Sequence, residues 1–400
     1  MDYTTEKLGF RIRKALRYTH LYGPRRTVAK VRGQYHMRRR FDSLPAVTSP
    51  TPQGGHVALM GCGNFAYATI AYYLRRGFGP VLRAAMDADV HRAASLYASY
   101  GLRYYTDDAR RIVEDPEIDL LFIASNHASH AEYAIDGLRA GKHVHVEKPH
   151  VVNEDQLIRL CRAMRTSRAQ VALGFNRPGS RLGTIVRERL AAETGPAMLN
   201  WFIAGHELPP DHWYFRPEEG GRVLGNLCHW TDFVLQLVPR EVRYPIEIHP
   251  TRWDKSDCDI AVAYVFGEGT IAALTFSAKG HTFEGVRELF AAHRGNVLLS
   301  LRDFQELVVE TGARKERWRL PFRDHGHRAR VEDSYRLARP VATAGGGVSI
   351  EYVWETGELF LRTRDALEQN RSLTVAPFDP GRLDAPGLHA TGAAHAERPG

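Results

Sequence analysis

"HVALMGCGNFAYA", residues 56–68, decides how this chain is read. "HVALMG" is a short apolar strand, and "NFAYATIAYYLRRG" after it has helical spacing, with Phe65, Ile70, Tyr73 and Leu74 on one side and Gly77 as its stop. Between strand and helix stands G-x-G-x-x-A, carried by Gly61, Gly63 and Ala66. The first glycine permits a tight turn, the second lets backbone approach a pyrophosphate, and the small third residue allows close helix–strand packing. The helix N-terminus, with Asn64 and Phe65 in its first turn, then faces the phosphates. Asp87 ends the next strand, about two dozen residues on, where an acid accepts hydrogen bonds from ribose hydroxyls. With no arginine adjacent in sequence, a 2′-phosphate would be repelled, so the pattern favours NAD over NADP.

Outward from that loop, strand and helix alternate: "VLRAAMD", "DVHRAASLYASYG", "IDLLFIAS", "SHAEYAIDGLRAG", "KHVHVEKP", "NEDQLIRLCRAMRTS" with Asn153 as N-cap, and "AQVALGF". The uninterrupted apolar run in "IDLLFIAS" predicts a strand covered on both faces. The alternation predicts a doubly wound parallel α/β sheet over residues 54–175. After Asn176 strand-like runs follow one another, with one helix, "GNLCHWTDFVLQLV", among them and another over 349–369. Residues 176–370 therefore read as a second, α+β domain built on a mostly antiparallel sheet. Residues 371–400, rich in Gly, Pro, Ala and His, read as a disordered tail.

Residues 1–50 hold 12 Lys/Arg and 3 Asp/Glu, whereas the other 350 hold 42 and 43. The net charge of +8 thus belongs to an arm, residues 1–53 with its linker, and not to the globular body. This argues against nucleic acid as a partner. Leu8, Ile12, Ala15 and Leu16, then Val28, Val31 and Tyr35, mark two short helices in the arm. Their thin apolar stripe suits packing on the chain's own body or a sister subunit. A peripheral contact with an anionic phospholipid surface is the sharper alternative. No run of about 18 apolar residues offers a membrane span. The start of the chain lacks the features of a signal peptide. Four scattered cysteines argue for reduced thiols in a cytoplasm and against a zinc site.

The run "HVALMGCGNFA … AAMDAD … EIDLLFIASNHASHAEYAIDGLRAGKHVHVEKP" resembles the glucose–fructose oxidoreductase / inositol dehydrogenase / MocA family, with a likeness extending from residue 56 to about 370. The most specific part is carried by His130, Ala134, Leu138, Ala140, Gly141, Lys142, His143, Val144, Glu147, Lys148 and Pro149. The resemblance implies a cis Lys148–Pro149 bond that aims the Lys148 ammonium at the nicotinamide. There a neighbouring positive charge would lower the lysine pKa and let it relay a proton. Glu147 would steady the turn. Ser125, Asn126, His127 and His130 would pass the cofactor. The proton-handling partner implied from the second domain is His229. Gly225 stands where the family commonly has an aspartate, and Asn226 can bond a substrate hydroxyl but cannot titrate. "AGHELPPDHWYFRPEEGGR", 204–222, is similar to a branch found with polysaccharide and sugar-nucleotide genes. His212, Trp213, Tyr214, Arg216 and Arg222, with Asn176 and Arg177, offer the aromatic platform and donors of a sugar site.

The expected function is an NAD(H)-dependent oxidoreductase acting on a secondary alcohol or ketone of a sugar, sugar nucleotide or cyclitol, working as a homo-oligomer, dimer or tetramer. Two alternatives stand beside it: a redox-neutral epimerase or hydrolase using bound NAD, and a degenerate nucleotide-binding subunit that docks on a partner enzyme.

Overall fold

The computed structural model describes residues 3–47, 55–253, 259–280, 283, 285–338 and 347–384. The arm is a hairpin of two helices, α1 (Leu8–Tyr22) and α2 (Pro24–Arg38), turned at Gly23. The first domain follows in chain order: β1 (Val57–Met60), a wide π turn (Ala66–Ala71) running into α3 (Tyr72–Phe78), β2 (Leu82–Met86), α4 (Val90–Tyr100), β3 (Tyr104–Thr106), α5 (Ala109–Val113), β4 (Leu120–Ile123), α6 (His127–Arg139), β5 (His143–Val146), α7 (Glu154–Thr166) and β6 (Val171–Leu173). The strands order as β3-β2-β1-β4-β5-β6, and all are parallel. Order reverses between β1 and β4, so a crevice opens at the carboxyl ends of these two strands, the place where doubly wound folds bind ligands. β1 and β4 are buried along their whole length, because helices cover both faces. Asn153 caps α7 as expected, its Oδ1 accepting from the Gln156 amide at 2.8 Å. The first helix does not stop at Gly77 but continues to Phe78.

The second domain starts with α8 (Arg181–Ala191), a helix the sequence reading did not anticipate. Its strands are β7 (Ala197–His206), β8 (Ile246–Trp253), β9 (Asp259–Val265), β10 (Ile271–Gly280), β11 (Arg287–Arg294), β12 (Val297–Arg302), β13 (Glu306–Thr311), β14 (Arg314–Arg319) and β15 (Leu373–Val375). They order as β14-β13-β12-β11-β7-β10-β9-β8-β15. Neighbours are antiparallel except β7 and β10, which pair in parallel. Strict alternation of buried and exposed residues along β11 and β12 leaves one face of this sheet uncovered by helices. The other face packs on α9 (Cys228–Leu235) and on α11 (Ile350–Gln369), with α10 (His327–Tyr335) crossing back to α3. One apolar core runs from β4 and β5 through α9 and α11 to this sheet, so the two domains share an interior.

Two expectations are corrected here. The segment 371–384 is ordered: Leu373–Val375 adds an edge strand to β8, and Leu383 is buried while its carbonyl accepts from Arg162 Nε at 2.8 Å. Apolar residues spaced through a Gly- and Pro-rich segment are enough to pin it. Residues 385–400 lie outside the described residues. The arm's stripe does not pack on its own body either. Leu8, Ile12, Leu16, Val28, Val31 and Tyr35 are all exposed. The arm docks instead through small and polar residues, Thr27, Ala29, Gly33 and His36. His36 stacks on Tyr67, and its two ring nitrogens bond Ser95 Oγ at 2.9 Å and the Cys62 carbonyl at 2.7 Å.

Candidate active site

The glycine loop has the shape that a dinucleotide needs. Gly61 has a positive φ of 90°, and a Cβ there would collide with the backbone of Ala124 and Ser125 at the end of β4. Only glycine permits both. At Gly63 a Cβ would meet nothing within 4 Å, so space is left above the loop where a phosphate can approach backbone. Asp87 lies directly beneath: its Oδ2 accepts the Cys62 amide at 2.7 Å and its Oδ1 the Asp89 amide at 2.9 Å. A carboxylate has further lone pairs to offer ribose hydroxyls. Although no arginine is adjacent to Asp87 in sequence, the fold brings Arg40 and Arg92 to Asp89, at 2.9 and 3.3 Å. One comes from the arm and the other from α4, and both are paired with the acid they meet.

The end of β4 enters the site differently from the sequence expectation. Asn126 Nδ2 donates to Glu219 Oε1 at 2.7 Å, and the Ala128 amide donates to Glu219 Oε2 at 3.2 Å. A buried carboxylate of the second domain thus sits at the N-terminus of α6, where the helix dipole favours it. His127 is taken up by the same contact, its Nδ1 bonding the Glu219 carbonyl at 2.8 Å, and Trp213 and Tyr214 pack on its ring. His130 is a brace for the next turn, with ring nitrogens on the Pro149 and Ser125 carbonyls at 2.7 and 3.2 Å. Both imidazoles are buried and engaged with protein groups. Ser125 Oγ meets Ser129 Oγ at 2.7 Å.

At the end of β5 the Lys148–Pro149 bond is cis, as is Tyr244–Pro245. Glu147 is held by His145, at 3.1 Å. Lys148 Nζ crosses to the second domain and donates to the Gly225 carbonyl at 2.6 Å. Gly225 lies in a second wide turn (Val223–Leu227) that leads directly into α9, and His229 follows one helical turn later. The two wide turns among the described residues share a device. Each surrenders a backbone carbonyl to a cation from another part of the chain, Gly225 to Lys148 and Ala68 to Arg26 at 2.5 Å. Such a turn frees carbonyls from the regular ladder.

Burial pulls the Lys148 ammonium down, but Tyr214, Cys228 and Glu147 outweigh it, and the net direction is upward. The lowering expected beside a cationic nicotinamide ring would act against this direction once the cofactor is bound. His229 goes the other way: burial first, then the charges of Arg177 and Lys148, hold it well below the usual imidazole range. Burial and these cationic neighbours favour its neutral form.

No acid fits four residues before His229. A Cβ at Gly225 would lie 2.6 Å from Tyr214 Cε2 and 2.8 Å from His127 Cε1, so aromatic rings occupy the space. Asn226 is tied to Arg222, 3.1 Å away. Arg222 is buried and also donates to the His206 carbonyl, so it braces this helix and does not project to meet an anion. Asn176 is likewise a buried brace, with Nδ2 on the His325 carbonyl at 2.5 Å. Arg177 stacks over Trp230 and pairs with Glu288 at 2.5 Å. Trp230 Nε1 donates to the same carboxylate at 2.9 Å, and His325 Nε2 lies 3.0 Å from its second oxygen. Burial alone would raise Glu288, but Arg177 and His325 outweigh it and bring it to about 2. Arg216 is exposed, and His212 caps its own short turn by accepting from the Tyr214 amide.

A cavity of about 770 Å³ opens beside this centre. Asn64 and Phe65 form one wall, Arg177, His212, Tyr214, Glu288 and His325 another, and the arm helices a third. Glu219, Glu288, His325 and the arm's Arg11, Lys14, Arg26 and Lys30 were not singled out from sequence. Nothing local marks them. Among the described residues no group of His, Cys, Asp and Glu is placed to hold a metal.

Residues 56–175 match the family model described as "Oxidoreductase family, NAD-binding Rossmann fold" (GFO_IDH_MocA). The Bacillus subtilis protein named uncharacterized oxidoreductase YrbE is 28% identical over 203 residues, 48% of this chain and 58% of that protein. Inositol 2-dehydrogenase 2 of Saccharopolyspora erythraea is 33% identical over 124 residues, 30% of this chain and 36% of that one. The chain thus spans less than two thirds of the length of these curated relatives. Among solved structures, levoglucosan dehydrogenase in complex with NADH and L-sorbose superposes with a TM-score of 0.69 at 17% identity, covering 82% of this chain and 100% of that one. That likeness is one of fold.

Proposed function

We propose that this chain, whose residues 56–175 match the family model for an NAD-binding Rossmann oxidoreductase, is an NAD(H)-dependent oxidoreductase interconverting a secondary alcohol and a ketone on a sugar-like substrate. The observation that carries this reading is the 2.6 Å bond from Lys148 to Gly225. It draws the ammonium ending a strand of the parallel sheet to within one helical turn of a neutral, buried imidazole from the other domain. When bound, NAD supplies the hydride chemistry. The loop at Gly61 and Gly63 and the first turn at Asn64, Phe65 and Ala66 receive the pyrophosphate, and Asp87 receives the ribose hydroxyls. His229 takes the proton of the substrate hydroxyl. Lys148, fixed by the Gly225 carbonyl, supplies positive charge beside the oxygen on which negative charge develops. The Glu219 clasp on α6 holds the two domains in register. Relatives named as inositol and levoglucosan dehydrogenases support a polyhydroxylated substrate.

We also read the uncovered sheet face as the surface between copies, because Met198, Phe202, Leu289 and Leu298 stand exposed on β7, β11 and β12. No helix among the described residues is long and apolar enough to cross a membrane. Cys62, Cys161 and Cys228 are free, which supports a reducing compartment such as the cytoplasm.

Fluorescence titration with NADH and NADPH comes first, followed by turnover on sugars, cyclitols and sugar nucleotides. NADH should bind more tightly than NADPH. Lys148→Met and His229→Asn should each lower kcat by about 10²–10⁴-fold with NADH affinity held within a few-fold. Turnover that is indifferent to both substitutions would refute the assignment. A second reading, a non-catalytic subunit, has one observation in its favour: Tyr214 and His127 fill the space beside Gly225. Binding of NADH with no turnover on any of these substrate classes would select it.

A further inference from the structure

We propose that the outward face of the N-terminal arm docks on a bilayer surface that carries anionic phospholipids. The inference is independent of the dehydrogenase reading above: it concerns where the chain sits and leaves the chemistry of the Lys148–His229 centre untouched.

Two contacts between the arm's helices set the register of the hairpin. Thr19 Oγ1 donates to Thr27 Oγ1 at 2.9 Å, and Arg11 donates to the Tyr35 hydroxyl at 2.5 Å. Leu16 is therefore level with Val31, and Ile12 with Tyr35. At about 100° per residue, Leu8, Ile12 and Leu16 lie on the side of α1 opposite buried Leu21. Val28, Val31 and Tyr35 lie on the side of α2 opposite Ala29, Gly33 and His36, which are buried. The two stripes thus share one outward face. All six residues are exposed, Leu8 and Leu16 by 67% and 66%, so the chain's own body does not cover them.

Charge selects the occupant. Residues 1–50 hold 12 Lys/Arg against 3 Asp/Glu, a count that includes every residue of the arm's helices and their lead-in. Glu6 is the one acid in residues 3–40. Arg13, Arg25 and Arg32 flank the stripe, exposed and without an ion pair among the described residues. A cavity of about 760 Å³ opens beside Val28, between α2, the wide turn at Ala66–Ala71, α3 and the end of α4. Its described walls include Arg25, Arg32, Arg75 and Arg76 and no acid. Arg76 donates to the Tyr72 hydroxyl at 3.0 Å. A surface that is apolar in the middle and basic at its edge lies in the headgroup layer with its apolar side chains at the acyl boundary. The guanidinium groups then meet lipid phosphates. A nucleic acid would engage the arginines but leave the aliphatic stripe in water. A second copy seated on the same face would bring the arginines of one chain against those of the other.

The full chain is floated with vesicles of phosphatidylcholine alone and of equimolar phosphatidylcholine and phosphatidylglycerol, at low and at physiological salt. It should bind the phosphatidylglycerol vesicles about ten-fold or more tighter than the neutral ones, with a preference that shrinks as salt rises. Arg25→Gln/Arg32→Gln should weaken binding to the anionic vesicles by about ten-fold or more, since each arginine near such a surface counts for about five-fold. Arg314→Gln/Arg317→Gln removes the same charge from exposed positions on β14 and should leave binding intact. Ile12→Ser/Leu16→Ser should also weaken binding by about ten-fold or more, with an unchanged denaturant midpoint because both side chains are exposed. Should that pair fold poorly, the arginine pair decides alone. Failure to bind phosphatidylglycerol vesicles at low salt would overturn the inference, as would an equal loss in the β14 variant. A fall in the chain's solution mass on Ile12→Ser/Leu16→Ser, with no vesicle binding by the unaltered chain, would make a second copy the occupant and overturn it as well.

Discussion

The two sides of the site differ in how they are made. The glycine-loop wall is local: β1, the turn at Gly61 and Gly63, and Asp87 lie within a short stretch of chain. The opposite wall is assembled from distance. Arg177, Trp230, Glu288 and His325 come from four separate elements and meet at one buried carboxylate. The arm closes the remainder, through His36 on the Cys62 carbonyl and Arg26 on the Ala68 carbonyl. The first wall prepares a site for a cofactor of fixed shape, and the second can be altered without touching it. Substrate choice is therefore expected to reside in the second wall and the arm, and cofactor binding in the first.

The sharpest way to break this contrast is Glu288→Ala. It leaves Arg177 as a buried charge without its partner and should cost about 3–5 kcal/mol of stability, read by denaturant unfolding. The same carboxylate sets a pH dependence. Its folded pKa, about 2, lies below its ordinary value of 4.5. The stabilisation is therefore present above about pH 4.5 and is lost as pH falls towards 2. Acid unfolding of Glu288→Gln should lack this component. Unchanged acid sensitivity would show that the cluster is not what fails first.

Next in size comes a pair within the local wall. Gly61→Ala should destabilise the fold by about 2–4 kcal/mol, from a positive φ and a collision with β4. Gly63→Ala should fold normally, since nothing stands within 4 Å of the new methyl, yet lose about ten-fold or more in NADH affinity as backbone approach is blocked. The two neighbours would then separate stability from binding. Equal behaviour would show that the space above Gly63 does not receive the cofactor.

The smallest effect is expected at the arm's anchor. His36→Ala removes two hydrogen bonds, worth about 1 kcal/mol each, and should raise proteolytic sensitivity at the linker while the parallel sheet stays intact. Loss of the whole fold would mean that the arm is part of the core and not an addition to it.

The contrast also explains what could be read from sequence. Parallel strands buried on both faces announce themselves as continuous apolar runs, and the glycine loop carries its geometry in its residue types, so the first domain, its order and Asp87 were legible. The helix Ile350–Gln369 was legible from its apolar spacing. The edge strand Leu373–Val375 was not, because three residues leave no period to detect. The arm's helices are legible from their spacing, but which surface their apolar stripe meets is not. Apolar spacing shows that a face exists, not what covers it, and here Thr27, Ala29, Gly33 and His36 face the body instead. The protein partners of His127 and His130 were not legible either. The carbonyls that hold them belong to Glu219 and to the Pro149 turn, which no local pattern reveals.

The central claim is that Lys148 and His229 serve one nicotinamide ring. A crystal structure of the chain with NADH tests it most directly. The account expects the ring at the carboxyl end of β5, with Lys148 Nζ and the His229 imidazole both within about 4–5 Å of its reacting edge, close to near-attack distance. A ring bound elsewhere, or a dinucleotide whose nicotinamide end is kept out of the crevice by Tyr214 and His127, would contradict it.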